Sequence, residues 1–373
     1  MARDQIIYEG DHLLVAAKER DFEAKAVLVT FNEMGLSPTG TRFWGDQIVD
    51  KLPVSGVGVV SKKPNWYPKA DMQKAIPAIL DFVNGRQVIT YGFSQGGYGA
   101  LKYSAALSAC GALSFSPQIS INPKSVDFDN RWHQHYEREL QNGEIILPED
   151  IRQNSFVFYD PYEKLDRINA EMIGQYSGVE RVICPFIDHG SVRQITESGF
   201  STHFLDTALK LLTSSVPSEE IAKRFRTLIR STREKSPTYQ YALRKRIQSK
   251  KWNEIRKRGN LEEARQWILN TPFEDLIAAD LVSVWKFCRD THLKNAELHI
   301  AQLISKNAQN DAFLLIHAVQ SYIALNLPNE AKSLLSDVVV RFGIRKHTNH
   351  ILRFAKQLQL NGLLEIISAL AGE

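Results

Sequence analysis

The sequence predicts an α/β fold, a mostly parallel sheet flanked by helices, followed by an all-α region of helical-hairpin repeats. Three observations carry that expectation. Up to about residue 213, short β-branched runs alternate with amphipathic helical stretches. One such run, Val88-Ile89-Thr90-Tyr91-Gly92-Phe93, passes straight through Ser94-Gln95-Gly96 into a helical stretch. After Ser215-Val216-Pro217 the strand-like runs stop, and an alanine-centred pattern recurs instead.

Strands are expected at Gln5–Tyr8, His12–Ala16, Ala26–Phe31, Gly56–Ser61, Gln87–Phe93, Ala112–Phe115, Ser155–Tyr159 and Arg181–Phe186. Helices fit at Asp71–Asn84, Gly97–Ala109, Pro161–Gly174 and Ser191–Leu212. The first two strands and Ala26–Phe31 are expected to form an antiparallel edge, their connections being short for crossovers. Asn122–Gln153 breaks the alternation and is read as a short cap over the site. It is polar and carries Trp132, His133, His135 and Tyr136.

Beyond the sheet, Leu261–Leu269 aligns with Leu293–Ala301 and then with Pro328–Leu335. Their central alanines, Ala264, Ala296 and Ala331, lie 32 and 35 residues apart. That period is near the 34 residues of tetratricopeptide repeats, whose stacked hairpins need small residues at close crossings. Asp280–Arg289 and Ala312–Asn326 supply the other helices of the pairs, and His350–Ala369 would cap the array. The expected division is residues 1–215 for the α/β domain, with its cap at 122–153. A basic helical linker over 216–258 and the repeats over 259–373 follow.

Composition bounds the function. With 373 residues, 43% hydrophobic and 24% charged, the chain is of globular type, and no apolar run is long enough to span a bilayer. The first ten residues lack the apolar core of a secretory signal. Cys110, Cys184 and Cys288 match no metal or redox spacing. Reduced thiols in a cytoplasmic protein are the expectation. The net charge of +4 is unevenly spread: Lys223 to Arg258 holds fourteen Lys or Arg against Glu234 and Glu254. A solvated basic face is the plainer account of that run. No zinc-finger spacing, RNP-like aromatic motif or phosphate loop accompanies it, so nucleic acid is not expected as a partner.

The chemistry centres on Gly92-Phe93-Ser94-Gln95-Gly96. A sharp strand-to-helix turn lifts such a serine above the sheet edge. The serine then needs a base to take its proton and a carboxylate to orient that base. With elbows of this kind the partners follow as acid and then His, each at a strand's C-terminal end. Ser155–Tyr159 ends at Asp160, and the run into Asp188 ends at His189. Ser94, His189 and Asp160 are therefore the expected catalytic set, with Asp166 the reserve acid. His203 falls inside a helical run, and His133 and His135 fall in the cap. Oxyanion donors are expected in the Gln95 amide and in Phe31 or Asn32 after the third strand. Trp66, Tyr98 and Trp132, with Trp44 and Tyr67, fall on loops near the site or in the cap, where aromatic faces suit sugars. Trp66, Tyr98 and Trp132 are the substrate-binding expectation. No cofactor or metal is called for.

With the elbow and its ordered partners in place, residues 1–213 resemble the α/β-hydrolase superfamily. Tyr91–Leu101 together with Ser116-Pro117-Gln118-Ile119-Ser120-Ile121-Asn122-Pro123 is similar to a poorly characterised bacterial group. There a hydrolase-like domain is joined to helical repeats, and the group is loosely associated with surface-polysaccharide genes. The resemblance implies a serine esterase or deacylase acting on a small-molecule or glycan ester. Acyl transfer to a sugar hydroxyl by the same residues stays open. So does a different class of function, a module that binds a protein partner through its repeats.

Overall fold

The computed structural model describes residues 3–20, 24–272, 276, 278–307, 311–343 and 348–365. It divides into two compact units, Met1–Gln240 and Tyr241–Glu373. The first is built on an eight-stranded sheet: β1 (Arg3–Glu9), β2 (Leu13–Glu19), β3 (Ala26–Phe31), β4 (Ser55–Ser61), β5 (Gln87–Phe93), β6 (Gly111–Phe115), β7 (Ser155–Tyr159) and β8 (Val179–Ile183). Their spatial order is β1-β2-β4-β3-β5-β6-β7-β8. β1 and β2 pair antiparallel, as do β2 and β4, and every later pair is parallel. This is the α/β-hydrolase type of sheet.

The expected antiparallel edge needs correction. β3 does not pair with β2, because β4 lies between them. The stretch from β3 to β4 contains the short helix α1 (Asp46–Val49) and is long enough for a parallel crossover. β2 thereby gains a neighbour on each side, as its continuously buried pattern requires.

Both faces of the sheet are covered. On one face lie α2 (Lys69–Val83), α3 (Gln95–Lys102) and α4 (Lys164–Ile173), burying Met72, Ile79, Leu101 and Ile173 against Val27, Val29 and Val157. On the other lie α5 (Arg193–Glu197), α6 (Ser201–Leu212) and α7 (Ser218–Thr232). Phe204 and Phe225 meet there with Phe158, which stacks on Phe115 at 4.2 Å. Each such fully buried phenyl contributes roughly 1.5–3 kcal/mol. α7 belongs to this core through Ile221, Phe225 and Ile229, although its residues were expected to be linker. The single helix expected over Ser191–Leu212 is two, broken where Gly199 turns with φ +74°. β8 stops at Ile183, before Pro185, which cannot donate to a ladder.

The division between the units falls within α8 (Pro237–Arg258). The second unit continues with α9 (Leu261–Asn270), α10 (Ala278–Asp290), α11 (Lys294–Asn307), α12 (Ala312–Ala324), α13 (Pro328–Phe342) and α14 (Thr348–Gln357). It is a helical region with its own core, in which α10 to α13 pack each on the next. The three repeat alanines, Ala264, Ala296 and Ala331, are all buried in it. α14 covers the start of the expected helix His350–Ala369, whose residues 366–369 lie outside the described residues.

His317 of α12 sits between Trp285, at 4.4 Å between ring centres, and Phe313, at 4.5 Å. Neither of its ring nitrogens has a hydrogen-bond partner among the described residues. Burial, with Lys286, His350 and Arg289 nearby, lowers its pKa to about 4. The unfolded chain therefore takes up this proton first, and stability present above pH ~6.5 is lost as pH falls towards 4. His317→Leu is expected to shrink the drop in thermal midpoint between pH 7 and pH 5, followed by circular dichroism on the full chain. An undiminished drop would exclude His317 as a source of acid sensitivity.

Candidate active site

The turn from β5 into α3 sets the geometry. Ser94 has φ 55° and ψ −119°, a conformation that an L-residue adopts only when its surroundings hold it there. Two glycines make that possible. A Cβ on Gly92 would overlap the Gly96 carbonyl, and one on Gly96 would overlap the Phe31 carbonyl. The Ser94 amide donates to the Phe115 carbonyl at 2.8 Å, tying the elbow to β6.

His189 lies in the loop after β8, with Nε2 2.8 Å from Ser94 Oγ. Its Nδ1 is 2.7 Å from Asp166 Oδ2. With Nδ1–H donating to the carboxylate, Nε2 is left to accept from the serine hydroxyl. Asp166 sits in the first turn of α4 and its side chain is fully buried. The relay thus runs Asp166, His189, Ser94.

This corrects the expectation for Asp160. Its Oδ1 accepts from the Tyr162 amide at 2.9 Å. Its Oδ2 accepts from the amides of Ile187 and Asp188 at 2.7 and 2.9 Å. Both oxygens are spent on backbone. Burial raises its pKa, against the lowering pull of those three amides. Asp160 fastens the His189 loop, where Phe186 and Asp188 both have positive φ. The chain then needs a further turn to bring a carboxylate over the sheet edge, and Asp166 is the one it delivers.

The oxyanion expectation is also altered. The Gln95 amide opens α3, where a helix's first N–H groups lack intrahelical partners. The Asn32 amide, by contrast, donates to the Val59 carbonyl at 3.3 Å, and Phe31 lies within β3, paired with Val59 and Gly92. Asn32 is instead a buried knot. Its Oδ1 accepts from the Ser61 amide at 2.7 Å, its Nδ2 donates to the carbonyls of Glu33 and Leu36, and its carbonyl accepts from Tyr67 Oη at 2.6 Å. Burial pushes the Tyr67 phenol well up, so it stays a neutral donor. With the Asn32 carbonyl turned to Tyr67, the N–H of the same trans peptide, that of Glu33, points the other way. It has no partner among the described residues. The Glu33 carboxylate turns back onto the Gly35 amide at 3.1 Å. The Gln95 side chain braces the next loop, accepting from Asn65 N at 3.0 Å and donating to Ser61 Oγ at 2.7 Å.

Of the aromatics expected to bind substrate, Trp66 and Tyr98 are interior. Both are buried, with Trp66 Nε1 on Gln118 Oε1 and Tyr98 Oη on the Glu144 carbonyl, so neither offers a face to a ligand. Trp132 is half-buried, its ring 6.1 Å from that of His189 and 5.7 Å from Trp66. Its Nε1 is buried without a partner among the described residues. His133 bonds the Val126 carbonyl and His135 stacks on Trp66, both within the segment over 122–153. Among the described residues no group of three His, Cys, Asp or Glu is placed to hold a metal.

Three neighbours of the relay were not singled out from the sequence: Arg131, Asp129 and Asn169. Arg131 Nη2 lies 2.9 Å from Asp166 Oδ1, Arg131 also binds both oxygens of Asp129, and Asn169 Nδ2 donates to Asp129 Oδ2. The only trace in the sequence is the Asp129-Asn130-Arg131 run inside the irregular segment.

No protein-family model matches this chain, and no curated protein matches it significantly. Solved structures do. One is the glycosylation-associated protein (Gap123) complex from Streptococcus agalactiae, at 14% identity over 57% of this chain and 47% of that one, TM-score 0.42. A putative esterase from Staphylococcus aureus matches at 16% identity over 58% and 84%, TM-score 0.40. The capsule O-acetyltransferase of Neisseria meningitidis serogroup A matches at 8% identity over 56% and 94%, TM-score 0.40. The chain spans less than half the length of the first of these.

Asp160→Asn would set an amide NH₂ against backbone N–H groups on one side of the carboxamide. It is expected to lower stability by about 1–3 kcal/mol. Chemical denaturation of the full chain checks this, and an unchanged midpoint would rule out the fastening role.

Proposed function

We propose that this chain is a serine-dependent hydrolase of carboxylic esters, with Ser94 as nucleophile, His189 as base and Asp166 as the orienting acid. The observation that carries the reading is the continuous relay from Asp166 Oδ2 to His189 at 2.7 Å and from His189 to Ser94 Oγ at 2.8 Å. Ser94 Oγ attacks the ester carbonyl while its proton passes to His189 Nε2. Asp166 stabilises the imidazolium without taking the proton. The Gln95 amide, with that of Glu33, binds the oxygen that becomes negative. Collapse expels the alcohol, which leaves with the proton from His189, and Ser94 is acylated. Water, deprotonated by His189, then attacks the acyl carbon, and the carboxylic acid is released.

An acylated glycan is the ester class put forward, since Trp132 places an aromatic face beside His189. Acyl transfer uses the same acyl-enzyme with a sugar hydroxyl in place of water. The helical second unit is proposed as the surface for a protein partner.

A fluorophosphonate probe is expected to label the wild type and to fail on Ser94→Ala. Absence of labelling in folded wild type would remove the hydrolase reading. Asp166→Asn is expected to slow labelling by about 10⁴-fold, the scale of loss when an orienting carboxylate becomes an amide. Asp160→Asn should cost less than about 100-fold; if it is as damaging as Asp166→Asn, the acid has been assigned to the wrong residue. A panel of acetylated sugars, run with and without a polysaccharide acceptor, separates hydrolysis from transfer by the products formed.

A further inference from the structure

Asp166 is fully buried, and its Oδ2 is committed to His189. A buried carboxylate oxygen requires its own partner. For Oδ1 that partner is a guanidinium, Arg131 Nη2 at 2.9 Å, delivered by the irregular segment between β6 and β7. A lone cation there would work against the chemistry, because it would cancel the charge that steadies the imidazolium. The cation is not alone. Asp129 grips it with both oxygens, Nε at 2.8 Å and Nη2 at 2.7 Å, and is itself buried. Asn169, three residues beyond Asp166 on α4, donates to Asp129 Oδ2 at 2.9 Å and accepts from the Ile119 amide at 2.8 Å. One face of α4 therefore holds both carboxylates.

We infer that Asp129 and Arg131 form a charge-balanced clamp that positions Asp166 and sets the pH range over which His189 can activate Ser94. The inference rests on the proposed roles of Ser94, His189 and Asp166. Two carboxylates and one guanidinium leave a net charge of −1 behind His189, the charge a single orienting Asp would supply, while both oxygens of Asp166 stay fixed. Burial pushes the Asp129 carboxyl up, yet the Arg131 guanidinium outweighs it and holds the group below its usual range. The clamp also reaches the wall of the site, since the Arg131 guanidinium lies 5.9 Å from the Trp132 ring centre.

The groups around His189 come from several elements. Asp166 belongs to α4, with Glu163 just before it, 3.9 Å from Arg131 Nη1. Ser94 and Phe93 belong to the elbow, and Trp132 to the irregular segment. Asp188 is the chain neighbour of His189, Asp160 holds their loop, and Arg193 packs against Gly190. All of these are unchanged in the variants that test the clamp, which makes the sign of each shift readable.

The experiment measures the rate of fluorophosphonate labelling against pH for the purified full chain. Arg131→Met leaves two uncompensated carboxylates, favours the imidazolium, and should move the acid limb up by roughly one pH unit. Asp129→Asn leaves Arg131 to neutralise Asp166, and should move the limb down by a similar amount. The double variant restores one negative charge and should return the limb towards the wild-type position at a lower rate. Arg131→Lys keeps the charge without bridging both carboxylates, so its limb should stay put while its rate falls. A purely structural role would lower rates without opposite shifts, and that result overturns the clamp. Should Arg131→Met fail to fold, an unmoved limb in Asp129→Asn overturns it alone. Wild type that labels at no pH condemns the reading of the site instead.

Discussion

The left-handed backbone of Ser94 is the constraint on which the rest of the site depends. Holding φ at 55° is unfavourable by roughly 1–3 kcal/mol, so the surroundings must fix it more firmly than that. They do so through backbone: Gly92 against Gly96, Gly96 against the end of β3, and the Ser94 amide on β6. Because the same contacts seat α3 on the sheet, helix and serine are positioned together. The Gln95 amide is thereby fixed at the first position of α3, where a helix N–H has no intrahelical partner. The Gln95 side chain is free for a different task, bracing the loop after β4 through Asn65 and Ser61.

Around that fixed point the other groups are held by carboxylates and carboxamides doing structural work. Asp160 gathers three amides, two of them from the His189 loop. Asn32 satisfies the ends of β3 and β4 at once and turns the following peptide. Asn169 joins Ile119 to Asp129. Each of these side chains bonds backbone or a buried charge that would otherwise be costly to leave unpaired. Loops in this fold would otherwise be its most mobile parts. The bonds to Asp160, Asn32 and Asn169 tie them to the strands and to one another.

What was legible in the sequence follows from the range of the interactions involved. The strand, elbow and helix around Ser94 are local, running without interruption from Gln87 to Lys102, so a single sequence displays them. His189, whose Nε2 lies 2.8 Å from Ser94 Oγ, could be singled out because it follows a strand at the expected place in the chain order. The acid was not. Asp160 and Asp166 are six residues apart, and the choice between them depends on how the turn before α4 rises over the sheet edge. Asp160 occupies the strand-end position, but amides claim it first. The antiparallel edge was misjudged for a similar reason: β2 and β3 are sequence neighbours, yet β4 offers β2 the antiparallel partner that buries it fully. Trp66 and Tyr98 were expected on loops near the site; both are core, and residues of the 122–153 segment pack on them, Trp132 and His135 on Trp66 and the Glu144 carbonyl on Tyr98 Oη.

The pairing of Arg131 with Asp166 spans 35 residues and that of Asp166 with His189 spans 23. No periodicity links such positions. What links them is an accounting rule applied after folding: a buried charge must be matched, and the group that matches it must itself be matched. Applied at Asp166, the rule leads through Arg131 to Asp129 and then to Asn169, and ends at a backbone amide. It also explains why an irregular, polar insertion lies between two core strands. Within four residues this segment brings Asp129 and Arg131 to Asp166 and Trp132 to His189. From the sequence this insertion is expected as a short cap over the site. Its physical consequence is electrostatic, because it brings the Arg131 guanidinium and the Asp129 carboxylate to the fully buried Asp166 behind His189.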